Sequence, residues 1–242
     1  MKNSIFGIGI RLGLLAVLLT SLTALGQMDA GVNSSMIKLF GDNVSFTAQA
    51  EVRVLNSNRV VYLQMPGVFA GGDNKLRVDV DMNLIKSPYI TPAMLKQLGI
   101  DRVTSVIRPD KKATYIIYPS KKTFVSMPLG AEDAEVLAQK LEKRPLGKET
   151  MDGHACLKNL STVKSAKGNV LVQATTWNAA DLKDFPIQIE IKEGGRTSVM
   201  HFKNVNLTKP APALFDVPAG FRDETPVAAA PKKTLPPVPK KK

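Results

Sequence analysis

The sequence predicts a mainly β protein, an antiparallel sheet with one apolar and one wet face, and three observations lead there. The dominant hydropathy period is two. Over 44–54 every even position is apolar and every odd one polar, and 75–84 and 186–192 repeat the pattern, the signature of half-buried strands. Further strand-like runs at 59–65, 102–107, 113–118, 123–127, 154–163, 170–177 and 197–206 are separated by turn-forming spacers. Asn56-Ser57-Asn58, Ser120-Lys121-Lys122, Lys167-Gly168-Asn169 and Glu193-Gly194-Gly195 are such spacers, so neighbouring strands form an antiparallel meander. Helical patterns, finally, are few and short. About ten strands with one oily face either curl around those helices or pack a second sheet on themselves.

The helices come next. Asn33 or Ser34 caps a short one carrying Met36, Ile37, Leu39 and Phe40, stopped by Gly41. Thr91-Pro92 gives an N-cap and first-turn pair ahead of Met94, Leu95 and Leu98, with Gly99 just past the end. A third, over about 131–143, places Ala134, Leu137, Ala138 and Leu141 on one face and ends before Pro145.

Both ends of the chain read differently from the body. Residues 1–26 have the form of an export signal peptide: Lys2 and Arg11 are basic, 12–19 is apolar, and Ala24 and Gly26 are small residues before a cleavage point. Gln27 at the next position offers no thiol for lipid attachment. A cleaved, unlipidated protein of the periplasm or exterior is therefore expected. Residues 225–242 mix five prolines with Lys232, Lys233 and Lys240 to Lys242, a composition that cannot bury a core, so a disordered tail is expected. The body, 27–224, reads as one β domain, expected to be monomeric.

Charge follows from this division. The formal charge is +12; removing Lys2 and Arg11 and the five tail lysines leaves about +5 on a body whose charges alternate in sign. That argues against a nucleic-acid groove. An anionic membrane or cell-wall surface suits the tail better, although a solubilising end ranks ahead of either.

Enzymatic signatures are missing. The sequence has no Gly-x-Ser-x-Gly elbow, no His-Glu-x-x-His, no Walker loop and no Gly-x-Gly-x-x-Gly. One cysteine, Cys156, and two histidines, His154 and His201, leave little material for a disulfide framework or a metal cluster. Asp79, Asp81 and Asn83 lack the glycine and terminal glutamate of a calcium loop. His154 reads as a structural histidine and Cys156 as a buried, inert thiol. No catalysis and no cofactor are expected.

The second half carries a resemblance. Leu146-Gly147-Lys148-Glu149-Thr150-Met151-Asp152-Gly153-His154-Ala155-Cys156 is followed by Trp177-Asn178-Ala179-Ala180-Asp181-Leu182-Lys183-Asp184-Phe185-Pro186, then by Phe202-Lys203-Asn204-Val205. Leu214-Phe215-Asp216-Val217-Pro218-Ala219-Gly220-Phe221 is the most specific piece. The series resembles exported bacterial proteins similar to the periplasmic lipoprotein carriers of the LolA/LolB type, over about 44–221. The resemblance implies an unclosed antiparallel β-barrel, a strongly curved sheet whose concave apolar face is covered by short helices and holds lipid or lipoprotein acyl chains, and a place in transport and outer-membrane biogenesis. The residues expected to line such a hollow are Phe46, Ala48, Val52, Leu76, Val78, Val80, Met82 and Ile189 on strands and Met94, Leu95 and Leu98 on the second helix. Trp177 either lines the pocket or anchors the core. The competing expectation is a non-catalytic envelope interaction or sensor protein with a dry core.

Overall fold

The computed structural model describes residues 30–41 and 45–226. The leader over 1–26, Val44 and all of the tail beyond Pro226 lie outside the described residues. A first meander runs through β1 (Phe46–Leu55), β2 (Val61–Gly72), β3 (Lys75–Asp81), β4 (Arg102–Arg108), β5 (Ala113–Tyr118) and β6 (Thr123–Pro128). A second runs through β7 (Lys140–Met151), β8 (His154–Lys164), β9 (Val170–Ala179), β10 (Phe185–Glu193) and β11 (Arg196–Asn206), and β12 (Arg222–Asp223) lies parallel beside β6. The two meanders join where β1 pairs with β11. The order is therefore β12-β6-β5-β4-β3-β2-β1-β11-β10-β9-β8-β7. It is one unclosed sheet, with β12 and β7 at its free edges.

Local chemistry sets the register. Asp73-Asn74, Asp152-Gly153 and Gly194-Gly195 turn three hairpins with positive φ at both central positions, the geometry that matches strand twist. Even positions of β1 are buried from Phe46 to Val52 and Gln49 and Glu51 are exposed, as the alternation requires. Gly71 pairs with Phe46, and a Cβ on Gly71 would run into the Phe46 ring. That glycine is required by the close approach.

Three helices are present among the described residues: α1 (Ala30–Leu39), α2 (Pro92–Gln97) and α3 (Ala131–Ala134). Gly41, at φ 94°, ends the first helical segment, but the helix starts at Ala30, so Asn33 and Ser34 lie inside it rather than capping it. In α2, Thr91 accepts a hydrogen bond from the Met94 N–H, Pro92 opens the helix and Gly99 follows at φ 64°. The third expectation fails. Only one turn forms at 131–134; a 3-10 turn follows at Val136–Ala138, and from Lys140 the chain is β7. Pairing with β8 from Lys140 to Met151 outweighs a four-residue apolar stripe, and Leu137 ends 78% exposed. β7 escaped the sequence reading because an edge strand shows little apolar alternation, and Pro145 and a bulge at 145–147 hide it further. Similarly, β3 stops at Asp81, whose carboxylate accepts from the Asn83 N–H and starts a 3-10 turn over Met82–Leu84.

The largest core lies inside the curve. Residues 34–40 of α1 and its end are buried on every side, with neighbours on β3, β7, β8, β9 and α3. Phe40 is the hub, its ring centroid 4.5 Å from Phe46, 5.4 Å from Phe202 and 5.6 Å from Phe185. Each such aromatic pair adds about 0.5–1.5 kcal/mol beyond simple burial. The connection from β6 to β7, with Leu129 and Val136 buried in this core, closes over the helix where no strand pairing does.

A second core sits on the opposite, convex face. Ala70, Val106 and Ile117 pack under Phe215, with Leu214, Val217 and Phe221 beside them. The Arg77 guanidinium donates to the Leu214 carbonyl at 2.8 Å, and Arg108 donates to the Phe215 carbonyl at 2.9 Å and pairs with Asp216 and Asp110. These bonds strap 212–221 to β3 and β4. Donating hydrogen bonds to Asp110 and Asp216 raises the Arg108 pKa, and the same pairing holds both carboxyls below the usual range. A third core, of Met82, Ile85, Leu95 and Ile100, covers one end of the concave face.

Candidate binding hollow

Register identifies the concave face residue by residue. Ala48 pairs with Phe69, Phe69 with Val78, Val78 with Ser105, Ser105 with Ile116 and Ile116 with Val125. This row crosses from β1 to β6. Ala48 and Phe69 are buried, but Val78, Ser105, Ile116 and Val125 are only half-buried. The next row behaves alike: Ala50 is buried, whereas Val80 and Val103, directly paired, are half-exposed. On the other side Leu76, Ile107 and Thr114 are fully covered, with Met127 half-exposed at the edge. From β3 to β6 the concave face is thus an apolar trough about 14 Å long, taking strands ~4.8 Å apart. It runs between the α1 block and the α2 block.

The residues expected to line a hollow divide among several places. Phe46, Ala48, Val52, Leu76 and Ile189 face inward and are buried around or beside α1. Val78 packs at the margin of that core and Val80 against the third. Met94, Leu95 and Leu98 belong to the α2 block, where Leu95 is 1% exposed and its two neighbours are half-buried. Met82 is a correction: the turn after β3 removes it from the strand face and packs it with Leu95. Trp177 is another. Its partners in register are Lys158 and Gln188, and Gln188 in turn pairs with His201 and His201 with Glu51, which places it on the convex side. There its Nε1 donates to Glu149 at 2.7 Å and the Lys158 ammonium lies 4.8 Å above the ring.

Sequence reasoning missed Ile116, Val125, Met127 and Val103, although their period-two spacing was visible. It also missed that the hollow has a polar stretch. Asn159, Ser161, Thr176 and Asn178, all at most 1% exposed, are hydrogen-bonded to one another on β8 and β9. Their strands alternate like the others, and only tertiary pairing shows which polar positions turn inward.

The hollow is filled around α1. A slot between Ile37, Phe40, Phe46 and Leu76 measures about 10 Å³, room for roughly one water. On the other side of Asn74 an open groove of about 560 Å³ lies between the β2–β3 turn and the start of β7. Elsewhere, His154 Nδ1 lies 2.7 Å from Asp181, whose pKa this hydrogen bond lowers. His201 Nε2 contacts Asp152 at 2.7 Å. Burial and then the Asp181 charge push the Cys156 thiol up, away from a reactive thiolate. Among the described residues no group of three or more His, Cys, Asp or Glu is placed to hold a metal.

No protein-family model and no curated protein matches the sequence. Solved structures do. A LolA superfamily protein from Nitrosomonas europaea is 9% identical, covering 75% of this chain and 94% of its own, with a TM-score of 0.40. Lipoprotein LppX of Mycobacterium tuberculosis is 11% identical over 75% of this chain and 96% of its own, TM-score 0.39. A domain of an outer-membrane lipoprotein-sorting protein from Vibrio parahaemolyticus is 10% identical over 77% of this chain and 97% of its own, TM-score 0.37. The motif through which the sequence resembles the LolA type, 214–221, lies in the convex strap and not in the hollow.

Proposed function

We propose that this chain is an exported, non-catalytic binding module or carrier that holds lipid, acyl chains or another apolar ligand against the concave face of its sheet. The observation that supports this reading is the unequal covering of β3 to β6. On their convex side Val106 and Ile117 are buried under 212–221, with Tyr115 and Phe124 half-buried beside them, while on the concave side Val78, Val80, Ile116, Val125 and Met127 stay half-open with no such segment over them among the described residues. Covering an apolar face with ligand gains about 25 cal/mol for each Å² removed from water. In this reading α1 occupies the rest of the hollow and yields when a longer chain enters, because the 10 Å³ slot admits none as it stands. The leader over 1–26 delivers the protein to the periplasm or exterior, and the lysine-rich tail meets anionic surfaces there.

The same small slot favours a second reading, an envelope interaction protein with a permanently dry core. The two separate by extraction. Mass spectrometry of the organic extract of protein purified from its native envelope is expected to find a stoichiometric apolar compound. A clean extract, together with no uptake of a fluorescent fatty acid by the purified protein, would leave the dry-core reading in front.

A further inference from the structure

We propose that the segment 227–231 of this chain is the resident occupant of the half-open trough, laid across β6 to β3 until a ligand displaces it. The inference rests on the binding reading above and names what a ligand must compete with. It is carried by the way the chain arrives at the trough. Leaving the convex strap, it runs beside β6 as β12, where the Arg222 N–H donates to the Lys122 carbonyl at 2.9 Å and the Glu224 N–H to the Phe124 carbonyl at 2.8 Å. There the ladder stops. The Thr225 N–H is taken by the Asp223 carboxylate at 2.8 Å, and the Ser126 N–H donates at 2.7 Å to the Thr225 side chain instead of to a main-chain carbonyl. The next position of β6 that faces this edge is Pro128, which has no N–H to offer.

The chain is thus set down at the outer end of the trough with no further edge to follow. Val125 and Met127, the trough residues of β6, stand on either side of Ser126 in the strand. On the convex side of β6 the space is taken, because Phe124 packs there with Tyr115 and Phe221. On the concave side Val125, Ile116 and Val78 are half-open in one row. The residues that follow fit that row. Val227-Ala228-Ala229-Ala230-Pro231 is small and uncharged, and the lysines begin only at Lys232. Five extended residues span about 16 Å, against a trough of about 14 Å. Tethering supplies the rest: a segment joined to its site at Pro226 is held there at an effective concentration of about millimolar, so contacts too weak to hold a free peptide suffice. The chain in this way covers its own half-open valines when no ligand is bound.

The test uses the full chain and N-phenyl-1-naphthylamine, a neutral apolar fluorophore that charge on the tail neither attracts nor repels. The double variant Val227→Asp/Ala229→Asp should bind it about fivefold more tightly than the native chain, because a charged segment leaves the trough. Leu235→Asp/Val238→Asp, further along the same tail, should bind it as the native chain does. A second readout needs no ligand. With Ala228→Cys in the tail, Val125→Cys and Ser126→Cys stand equally close to Pro226 on opposite faces of β6, and the buried Cys156 is common to both. Under mild oxidation the Val125→Cys pair should form its disulfide about tenfold faster than the Ser126→Cys pair, and added fluorophore should slow it. Equal rates, unchanged affinity in Val227→Asp/Ala229→Asp, or the same tightening from both aspartate variants would overturn the proposal and leave the trough to outside ligands. No fluorophore binding by any variant, together with the fast Val125→Cys cross-link, would instead retire the binding reading and keep the segment as a permanent cover.

Discussion

The sheet treats its two halves differently. Around β1 and β8 to β11 the concave face is packed against α1, and Phe40, Phe46, Phe185 and Phe202 meet ring to ring. Across β3 to β6 the same face, continued in register, carries valines and an isoleucine that are only half covered. Both halves obey one alternation rule, so alternation cannot tell a filled surface from an open one. What differs is where the chain's covering segments land: α1 and 129–139 over one half, the 212–221 strap over the outer side of the other.

The largest effect that would sharpen this contrast is expected from Phe40→Ala. Removing the hub should cost about 3–5 kcal/mol, whereas Ile116→Ala in the trough should cost about 1 kcal/mol or less, both read from urea denaturation. If α1 yields to ligand, Phe40→Ala should also raise affinity for a fluorescent fatty acid. Comparable losses from the two substitutions would mean that the trough is covered after all.

Next in size is the strap. Arg108→Gln removes a buried guanidinium bonded to the Phe215 carbonyl and two carboxylates, at an expected cost of about 2–3 kcal/mol. The pH dependence follows from the same pairs. Asp110 and Asp216 have folded-state pKa values below their unfolded ones. Their contribution is therefore full above an unfolded value of about 3.9 and is lost as pH falls through the lower folded values. Melting temperatures of the native chain should drop through that acid window, and the Arg108→Gln curve should be shallower there. Parallel curves would show that the strap carries none of the acid sensitivity.

Smaller in stability but decisive for function is Val125→Asp. On a half-exposed edge position it should change stability by less than about 1 kcal/mol, since water can still reach the carboxylate, yet fatty-acid binding should fall at least tenfold. Unchanged binding would separate the trough from any ligand. The smallest expected signal is optical: because Trp177 sits on the convex side under Lys158, ligand should leave its fluorescence nearly unchanged, while Glu149→Gln alone should shift the emission. Strong quenching by ligand would return Trp177 to the hollow.

Much of this architecture was legible in the sequence, and the failures have physical causes. The strands at 46–55 and 185–193 announced themselves because each keeps one face drier than the other. β7 did not, because a charged edge strand has nothing to hide on either side. Leu137 and Leu141 looked like one helical face, but eleven residues of pairing with β8 decided their fate. For the site, Phe46, Ala48, Val52, Leu76 and Ile189 were placed inward by parity alone. Parity left Trp177 open between pocket and core, since no period in 170–179 says which face curls inside.

The junction of β1 with β11 has a consequence for the order of events during synthesis. α1 and β1 emerge first, but β1's second partner and most of the helix's wall, β8 to β11, come last. Pairings so far apart in sequence form slowly, because a long loop must close before they gain anything. Until β11 arrives, Met36, Leu39 and Phe40 have half a coat, and the first meander exposes an unpaired edge on β1. The nascent chain is thus stickiest over its own N-terminal third, and this is where a holding chaperone or a premature apolar ligand would compete with folding.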